Sequence, residues 1–322
     1  MQVHVIHENP DWYAPLAGAF DAAGVPHREW RLGTGLLDLD ERPPDGVFWS
    51  RMSASSHTRG HPHAKDQARG VLTWLESHGR RVVNGRRVLE LEVSKAEQLS
   101  LLRAAGFDVP RTLAVAGAAG LHAAARRLPA PFIGKHNQGG KGASVRLFAS
   151  HDEFDAYLSS PEYLAPVDGI TLLQEYLRAA QPRITRVEIV GGEFVYAITA
   201  DTARGGFELC PAEACAVPPG GPGDGGSASG QDDGELFAIR AGFDHPVIGR
   251  YLDFARRHGI EIAGFEFIET ADGRLVTYDI NTTTNYNPAV EAAAVQPALL
   301  AVARFFRGLL ATETRRQERT AG

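Results

Sequence analysis

The stretch EIAGFEFIETADGRLVTYDINTTTNYNP, from Glu261 to Pro288, has the pattern of a β-hairpin with one polar and one apolar face. Asp272-Gly273 is a strong two-residue turn signal, and a turn there places Ala271 opposite Arg274. Counting outward in this register pairs three further positions: Ile268 with Thr277, Glu266 with Asp279, and Gly264 with Asn281. The other face would then carry the core side chains, which are Phe265, Phe267, Val276, Tyr278 and Ile280.

The polar face of this hairpin predicts a metal site. Two carboxylates directly opposite each other, Glu266 and Asp279, repel by about 0.2–1 kcal/mol in an exposed sheet, and burial increases the repulsion. A divalent cation between them reverses the sign, and Asn281 adds an amide oxygen two residues along. Oxygen ligands of this kind suit Mg²⁺. The alternative is a water-facing hairpin whose acids pair with Arg274 or another arginine.

Composition and charge exclude several classes of protein. The chain has 322 residues, 43% hydrophobic and 22% charged, with a formal net charge of −6. This charge gives no bulk attraction to nucleic acid. Since there is no apolar run of roughly 18 residues and no signal-peptide pattern, we expect no membrane partner and a cytoplasmic location. Two cysteines, Cys210 and Cys215, are too few for a disulfide scaffold.

The first 90 residues alternate short apolar strands with helical segments, which predicts a small parallel α/β lobe. No G-x-G-x-x-G follows the first strand, so a dinucleotide-binding lobe is disfavoured. Ligands of open α/β lobes bind at the carboxyl ends of strands. We therefore expect the loop SRMSASSHTRGHPH, residues 50–63, to meet a carboxylate substrate. Its candidate residues are Arg51, Ser53, Ser55 and Arg59.

Two lysines mark an anion site. Ser94 and Glu97 have capping-box spacing, which puts Lys95 at the positive end of a helix, an unfavourable place unless an anion meets it. Lys135 lies inside the strand that opens FIGKHNQGGKGASVRLF, residues 132–148. The spacing of the loop is not that of a P-loop. The tip of this loop could instead bring backbone N–H groups to a polyphosphate, or it could be a plain turn with a solvated lysine. The residues of the tip are Gln138, Gly139, Gly140, Lys141 and Gly142.

The rest of the chain predicts an α+β region with antiparallel sheet. A second hairpin spans residues 184–200 with Gly191-Gly192 as its turn. Residues 218–234, rich in glycine, proline and serine, predict a loop without a fixed fold. Helices are expected from Pro288 and Pro297, and the last ten residues, ETRRQERTAG, are expected to be a frayed end.

Together these stretches, in this order, resemble the ATP-grasp superfamily, particularly its RimK-like and glutathione-synthetase-like ligases, over about residues 90–310. The resemblance implies a mixed α/β and α+β protein with an ATP-grasp fold, in which a small parallel lobe precedes two antiparallel-sheet subdomains that enclose a nucleotide. The corresponding division of the chain is 1–90, 91–177 and 178–322.

The resemblance also implies roles for individual residues. Lys95 and Lys135 would contact the nucleotide, and the glycine loop would cover its phosphates. Arg186 and Lys135 would act at the transferred phosphoryl group. A hinge segment would contact adenine and ribose, and consists of Gln174, Glu175, Tyr176 and Leu177. The magnesium ligands would be Glu266, Asp279 and Asn281. Asn285, in the polar run TTTNYNP, is a candidate substrate contact.

The implied activity is ATP-dependent ligation of a small-molecule carboxylate to an amine through an acylphosphate, releasing ADP and phosphate. Amino-acid-like or small-peptide substrates are expected, with ATP and two Mg²⁺ ions as cofactors, Mn²⁺ as a substitute, and a homo-oligomer as a further expectation. Two departures leave the substrate open: Asp279 stands where glutamate is common, and TTTNYNP replaces the small-residue, proline-glycine sequence frequent in glutamate-adding ligases. The alternatives are a phosphotransferase, an intramolecular cyclo-ligase and a non-catalytic Mg·ATP-sensing protein.

Overall fold

The computed structural model describes residues 1–139, 144–205 and 236–321. Three of the predicted loop residues, Gly140, Lys141 and Gly142, lie outside the described residues. The same is true of both cysteines and of the predicted loop at 218–234.

The amino-terminal part has a parallel sheet, as predicted, with four strands in the order β2-β1-β3-β4. Its strands are β1 (Val3–His7), β2 (His27–Arg31), β3 (Val47–Ser50) and β4 (Arg81–Val83). Its helices are α1 (Pro10–Ala22), α2 (Ala64–Ser77) and a 3₁₀ turn at Ser56–Arg59. Asn9 caps α1 by accepting from Asp11 N, and Pro10 opens the helix where a missing N–H costs nothing.

Two short helices, α3 (Arg86–Val93) and α4 (Lys95–Ala104), follow this sheet. Ser94 ends the first helix and caps the second, because its side chain accepts from Glu97 N at 3.3 Å. The predicted cap is therefore formed. It fixes Lys95 as the first residue of α4.

A four-stranded antiparallel sheet in the order β5-β8-β6-β7 comes next. Its elements are β5 (Thr112–Ala116), α5 (Leu121–Ala125), β6 (Phe132–His136), β7 (Arg146–Phe148), α6 (His151–Leu158) and β8 (Ile170–Glu175). One face of the sheet packs Phe132 and Phe148 against Phe154 of α6. Since side chains alternate along a strand, the opposite face of β6 carries Ile133 and Lys135.

The third sheet is antiparallel with the order β11-β10-β9-β12-β13. Its strands are β9 (Arg183–Val190), β10 (Glu193–Asp201), β11 (Phe237–Ile239), β12 (Ile262–Glu269) and β13 (Leu275–Asn281). The remaining helices are α7 (Thr202–Gly205), α8 (Val247–His258), α9 (Pro288–Ala293) and α10 (Ala298–Ala321). On one face, α8 and α4 pack on Phe265, Phe267 and Ile280.

The turn of the late hairpin differs from the prediction. Thr270, not Ala271, pairs with Arg274, and a three-residue loop closes with Gly273 at φ 83°. The register is therefore one residue off near the turn, so Ile268 pairs with Val276 rather than with Thr277. A β-bulge between Glu266 and Phe267 restores the predicted pairing beyond it.

The bulge also changes which side chains lie on each face. Thr277 takes the predicted core position and bonds the Tyr251 hydroxyl at 2.7 Å. Tyr278 instead packs with Ile268 on the other side of the sheet. Placing Val276 and Tyr278 on the same face as Phe265 was therefore wrong, because the extra residue reverses the alternation.

Asn84 joins the parallel sheet to the late hairpin. Its side-chain nitrogen donates to Ile262 O at 2.7 Å and to Thr282 O at 3.2 Å, one carbonyl at each strand. Its side-chain oxygen accepts from Glu261 N at 2.9 Å. Among the described residues Asn84 is the one non-glycine with a positive φ, at 50°, which asparagine tolerates better than most residues.

The carboxyl-terminal helix is longer than predicted. The segment expected to fray from Glu313 is the last part of α10, which continues to Ala321. Its arginine, glutamate and glutamine residues are good helix formers, and Arg316 and Glu313 form a pair one turn apart. Within the described ranges, no helix is long and apolar enough to cross a membrane.

Candidate active site

The two acids predicted as metal ligands face each other across β12 and β13. Glu266 pairs with Asp279, and Gly264 pairs with Asn281, as the sequence predicted. The Asn281 side-chain nitrogen donates to Glu266 Oε1 at 2.9 Å, which leaves its amide oxygen available to another ligand. All three side chains line one large cavity.

The two acids differ in how readily each holds a negative charge. Burial, with Asp279 as the second cause, raises the pKa of Glu266 to about 7. Burial acts in the same direction on Asp279, but Lys95 and Lys135 hold the pKa of that carboxyl below its ordinary value. A proton added to this pair would therefore go first to Glu266.

Two lysines approach the cavity from different elements. Lys95, at the start of α4, forms an ion pair with Asp279 at 2.5 Å. Lys135, on β6, is only 7% exposed and lines the same cavity. Within the part of the chain that the structure describes, its ammonium has no hydrogen bond or ion pair. Burial, followed by the charge of Lys95, lowers the pKa of Lys135 to about 8.

Arg186 lies beneath the acids on β9, directly across from Glu266. Its guanidinium is 1% exposed and contacts two carboxylates: Glu188 at 2.6 Å and Glu266 at 3.5 Å. It also donates to the Thr284 hydroxyl. Thr284 in turn lies 3.2 Å from both carboxylate oxygens of Glu188. The predicted arginine is thus part of a buried network that extends to the loop after β13.

Gly264 makes room for this arginine. A Cβ on Gly264 would lie 2.2 Å from Arg186 Nε, a distance that no pair of unbonded heavy atoms tolerates. From the sequence, Gly264 was predicted only as the partner of Asn281 in the hairpin register. In the sheet it lies between Asn281 on β13 and Glu188 on β9.

Glu92 is a cavity residue that the sequence analysis missed. One of its carboxylate oxygens accepts from the backbone N and the hydroxyl of Thr282, both at 2.8 Å. Burial raises its pKa despite these bonds. The available signal was an acid between two core positions, since Leu91 and Val93 are both buried.

The predicted hinge forms another wall of the cavity, whose volume is about 210 Å³. Its four lining residues are Gln174, Glu175, Tyr176 and Leu177. The Gln174 amide donates to Thr112 Oγ1 at 2.9 Å, and Glu175 accepts from Arg111 N at 2.8 Å. These bonds fix the segment where β8 meets β5.

The first two residues of the predicted glycine loop, Gln138 and Gly139, lie in different surroundings. Gly139 lines the cavity. Gln138 is buried against the amino-terminal part, where its side chain accepts from Lys65 Nζ at 2.6 Å and donates to Ala54 O at 3.4 Å. Gln138 therefore joins β6 to the loop after β3.

The candidate substrate residues are partly brought together. Ser53, Ser55 and Asn285 line the cavity, and the two serine hydroxyls are 2.9 Å apart. Arg59 pairs with the buried Glu8 and bonds Ser55 Oγ at 3.0 Å. Arg51 bonds Asn285 Oδ1 at 2.8 Å.

The candidate ligands for a metal ion are the predicted set on β12 and β13. Among residues 1–139, 144–205 and 236–321, no group of three or more histidine, cysteine, aspartate or glutamate side chains has the arrangement of a metal site. The set formed by Glu266, Asp279 and Asn281 has two acids and an amide. It suits a hard cation that completes its shell with water or phosphate oxygens.

Comparisons with known proteins give matches in structure but not in sequence. No family model matches the chain, and no curated protein matches it. A RimK-domain ATP-grasp protein from Sphaerobacter thermophilus superposes with a TM-score of 0.66 at 16% identity, over 95% of this chain and 99% of that one. The chain has the ATP-grasp fold.

Two other solved structures match over nearly the whole chain. The ligase PsnB, complexed with a minimal precursor, gives a TM-score of 0.64 at 16% identity, covering 95% of this chain and 99% of that one. D-alanine–D-alanine ligase from Bacillus anthracis, complexed with ATP, gives 0.61 at 12% identity, covering 99% of each chain. The large cavity of this chain lies between the two antiparallel sheets, with Lys135 on one and Glu266 on the other.

Proposed function

We propose that this protein is an ATP-dependent carboxylate–amine ligase that forms an amide bond through an acylphosphate and releases ADP and phosphate. The observation that carries the proposal is the arrangement of charges in one cavity: two opposed acids with an amide on β12 and β13, a half-buried lysine on α4 and a buried lysine on β6. The structural neighbours that are described as ligases support the same reaction class.

The reaction requires activation of a poor electrophile. A carboxylate does not react with an amine in water, and transfer of the ATP γ-phosphoryl group to one of its oxygens supplies a leaving group. The amine then displaces phosphate. Phosphoryl transfer depends mainly on positioning and on stabilisation of negative charge, so no side-chain nucleophile is required.

The lysines are suited to the phosphate chain of ATP. Lys135 has no anionic partner within hydrogen-bonding distance in the described part of the chain, and it is desolvated, so an oxyanion would gain a strong contact there. Lys95 is already paired with Asp279 and would contact a phosphate oxygen and that acid together. Gly139 and the residues that follow it would cover the phosphates through backbone N–H groups.

The acids fit Mg²⁺. Burial and, after it, the facing carboxylate of Asp279 raise the pKa of Glu266, and a divalent cation would remove the repulsion between the two acids. Glu266, Asp279 and the amide oxygen of Asn281 would hold the ion. When bound, Mg²⁺ would neutralise phosphate charge and polarise the transferred group. Two ions, with Mn²⁺ as a substitute, are part of the proposal.

The nucleotide base would lie on the hinge. Backbone and side-chain groups at Gln174–Leu177 offer polar contacts at the cavity wall, and Ile133, Ile268 and Tyr278 supply apolar surface for a flat ring. Arg186 lies beneath Glu266, where it would stabilise charge on the transferred phosphoryl group and hold Glu266 in place.

A turnover assay tests the proposal. ADP and phosphate release would be measured with Mg·ATP and a panel of amino acids and small peptides, singly and in pairs. A ligase needs an acid and an amine together, and its product contains both. Turnover with a hydroxyl acceptor alone would indicate a phosphotransferase, turnover with one bifunctional molecule a cyclo-ligase, and binding of Mg·ATP without ADP release a sensing protein; each would contradict the proposal.

Glu266→Ala and Asp272→Asn provide a matched pair of variants for this assay. Asp272 is an acid at the exposed tip of the same hairpin and does not line the cavity among the described residues. We expect Glu266→Ala to lose at least about 100-fold in turnover, in the range seen when one group that stabilises transition-state charge is removed. Asp272→Asn should retain turnover. Full turnover by Glu266→Ala with unchanged Mg²⁺ dependence would contradict the metal assignment.

A further inference from the structure

A small chamber of about 30 Å³ lies beside the main cavity, between α1 and the loop after β13. Trp12 and Asn285 line both spaces, so the two are neighbours. Among the described residues, neither lysine, neither opposed acid nor Asn281 lines the chamber. The chamber is therefore separate from the proposed phosphate-binding groups, and its size suits one small polar group.

Arg51, at the end of β3, lines this chamber and carries a buried charge without a counter-ion. It is 3% exposed. Its guanidinium donates to Trp12 O at 3.0 Å, to Thr284 O at 2.6 Å and to Asn285 Oδ1 at 2.8 Å, all of which are neutral acceptors. In the described ranges no carboxylate lies within 4.0 Å of it. Buried charges are otherwise paired in folded proteins.

The other buried arginine of the site behaves differently. Arg186 contacts the carboxylates of both Glu188 and Glu266. Arg59, in the same loop as Arg51, pairs with Glu8. Of these three arginines, Arg51 alone lacks a counter-ion in the described ranges, which implies that an anion from outside the chain supplies it.

The chamber also concentrates hydrogen-bond donors. Three buried polar atoms of its lining residues have no partner in the described structure: Arg51 Nε, Asn285 Nδ2 and the Tyr286 hydroxyl. Burial, together with the charge of Glu188, keeps the pKa of Tyr286 well above its ordinary value, so the hydroxyl remains a donor. The one acid of the lining is Asp11, which is exposed and outside ion-pair distance of Arg51. Three donors, one of which belongs to the Arg51 guanidinium, match the two oxygens of a carboxylate.

We propose that this chamber binds the non-reacting carboxylate of the amine-donating substrate, with Arg51 as its counter-ion, and that this substrate is therefore an amino acid. The inference rests on the proposed function. A carboxylate that is to be phosphorylated must lie at the lysines and the opposed acids, none of which the chamber contains. The amine of the same molecule would extend past Trp12 and Asn285 into the main cavity.

Thermal unfolding of the full chain with Mg·ADP tests this inference. The probes are the L- and D-amino acids, each followed by its α-carboxamide if it raises the unfolding midpoint. We expect at least one amino acid to raise the midpoint with saturation, and its carboxamide to bind at least about 30-fold more weakly, since loss of one partner of a buried charge pair has an effect of this size. Arg51→Gln should lose the preference for the carboxylate.

Two further variants keep the test decisive. Arg51→Lys retains the charge and should keep the carboxylate preference at reduced affinity, which covers the case in which Arg51→Gln does not fold. Arg69 lies on α2, pairs with Glu90 and lines neither the chamber nor the main cavity. Arg69→Gln should therefore leave the preference for the carboxylate over the carboxamide unchanged. The inference is overturned if no amino acid raises the midpoint, if the carboxamide binds equally well, or if Arg51→Gln keeps the preference.

Failure of the inference is distinguishable from failure of the proposed function. A wild-type chain that binds neither Mg·ADP nor Mg·ATP would contradict the proposed function. A chain that binds Mg·ADP and ligates an acid to an amine, with no dependence on Arg51 for carboxylate recognition, would contradict this inference alone.

Discussion

Gly264 leaves the space that Arg186 occupies, because a Cβ at that position would lie 2.2 Å from Arg186 Nε. The arginine cannot simply move aside, since Glu188 and Glu266 hold it on a sheet where it is 1% exposed. The residue with no side chain therefore determines where the largest cation of the site lies.

Gly264→Ala should displace Arg186 and weaken both stability and turnover. We expect a loss of about 1–3 kcal/mol in the free energy of unfolding, as for overpacked cores, and at least about a tenfold loss of turnover. Urea denaturation and ADP release measure the two. Gly308→Ala is the control: Gly308 lies within α10 with no atom within 4 Å of the new methyl group, so it should gain about 0.5–1 kcal/mol. Equal behaviour of the two variants would refute the packing argument.

Removal of Arg186 should expose the charge it neutralises. Arg186→Met leaves Glu188 buried without a cation, for which we expect a loss of about 3–5 kcal/mol in unfolding free energy. Adding Glu188→Gln should recover much of this stability without recovering turnover. Urea denaturation of the single and double variants checks the first statement, and ADP release checks the second. Recovery of turnover in the double variant would show that Arg186 has only a structural role.

Stability should depend on pH through Glu266. Its pKa rises from 4.5 to about 7 on folding, so the folded chain binds more protons than the unfolded chain between these values. The free energy of unfolding contributed by this group therefore decreases as pH rises from about 4.5 to about 7. Without metal, the thermal unfolding midpoint of Glu266→Gln minus the midpoint of the wild type should increase as pH rises from about 4.5 to about 7. Saturating Mg·ADP should reduce the difference, whereas a constant difference with pH would disagree with the raised pKa.

ATP binding should take up protons through Lys135. The pKa of Lys135 is about 8 in the free chain, and a polyphosphate beside it would raise that value. Above pH 8 the ATP affinity should fall by up to about tenfold per pH unit. Calorimetry at pH 8.5, in buffers with different ionisation enthalpies, measures the uptake. Lys135→Arg keeps its charge at this pH and should bind ATP without uptake; unchanged uptake in that variant would assign the proton to another group.

The late hairpin shows how far sequence reasoning reached and where it failed. The Asp272-Gly273 signal predicted a two-residue turn, but the loop has three residues, and this shifted the register by one near the turn. The bulge beside Glu266 shifts it back, so the opposition of Glu266 and Asp279 was predicted correctly. A bulge has no reliable signature in side-chain alternation, since both faces of this sheet are buried.

The parts of the site that sequence did not predict depend on contacts between distant segments. Glu92 lies in a helix, and it contacts Thr282, which is 190 residues away in the sequence, only in the folded chain. Gly264 could be counted in a register, but its proximity to Arg186 depends on the pairing of β12 with β9. Lys95 and Lys135 were predicted because each had a local signal: one lies at a helix start, and the other interrupts an apolar strand.

Asn84 links the amino-terminal lobe to the hairpin that carries the opposed acids. The Asn84 amide donates to one carbonyl at each strand of this hairpin. A displacement of the amino-terminal lobe would therefore change the spacing of the opposed carboxylates. Exchange of that lobe with one from another ATP-grasp protein would succeed only if an equivalent clamp came with it. Recombination in this fold should therefore be tolerated least at the joint near residue 84.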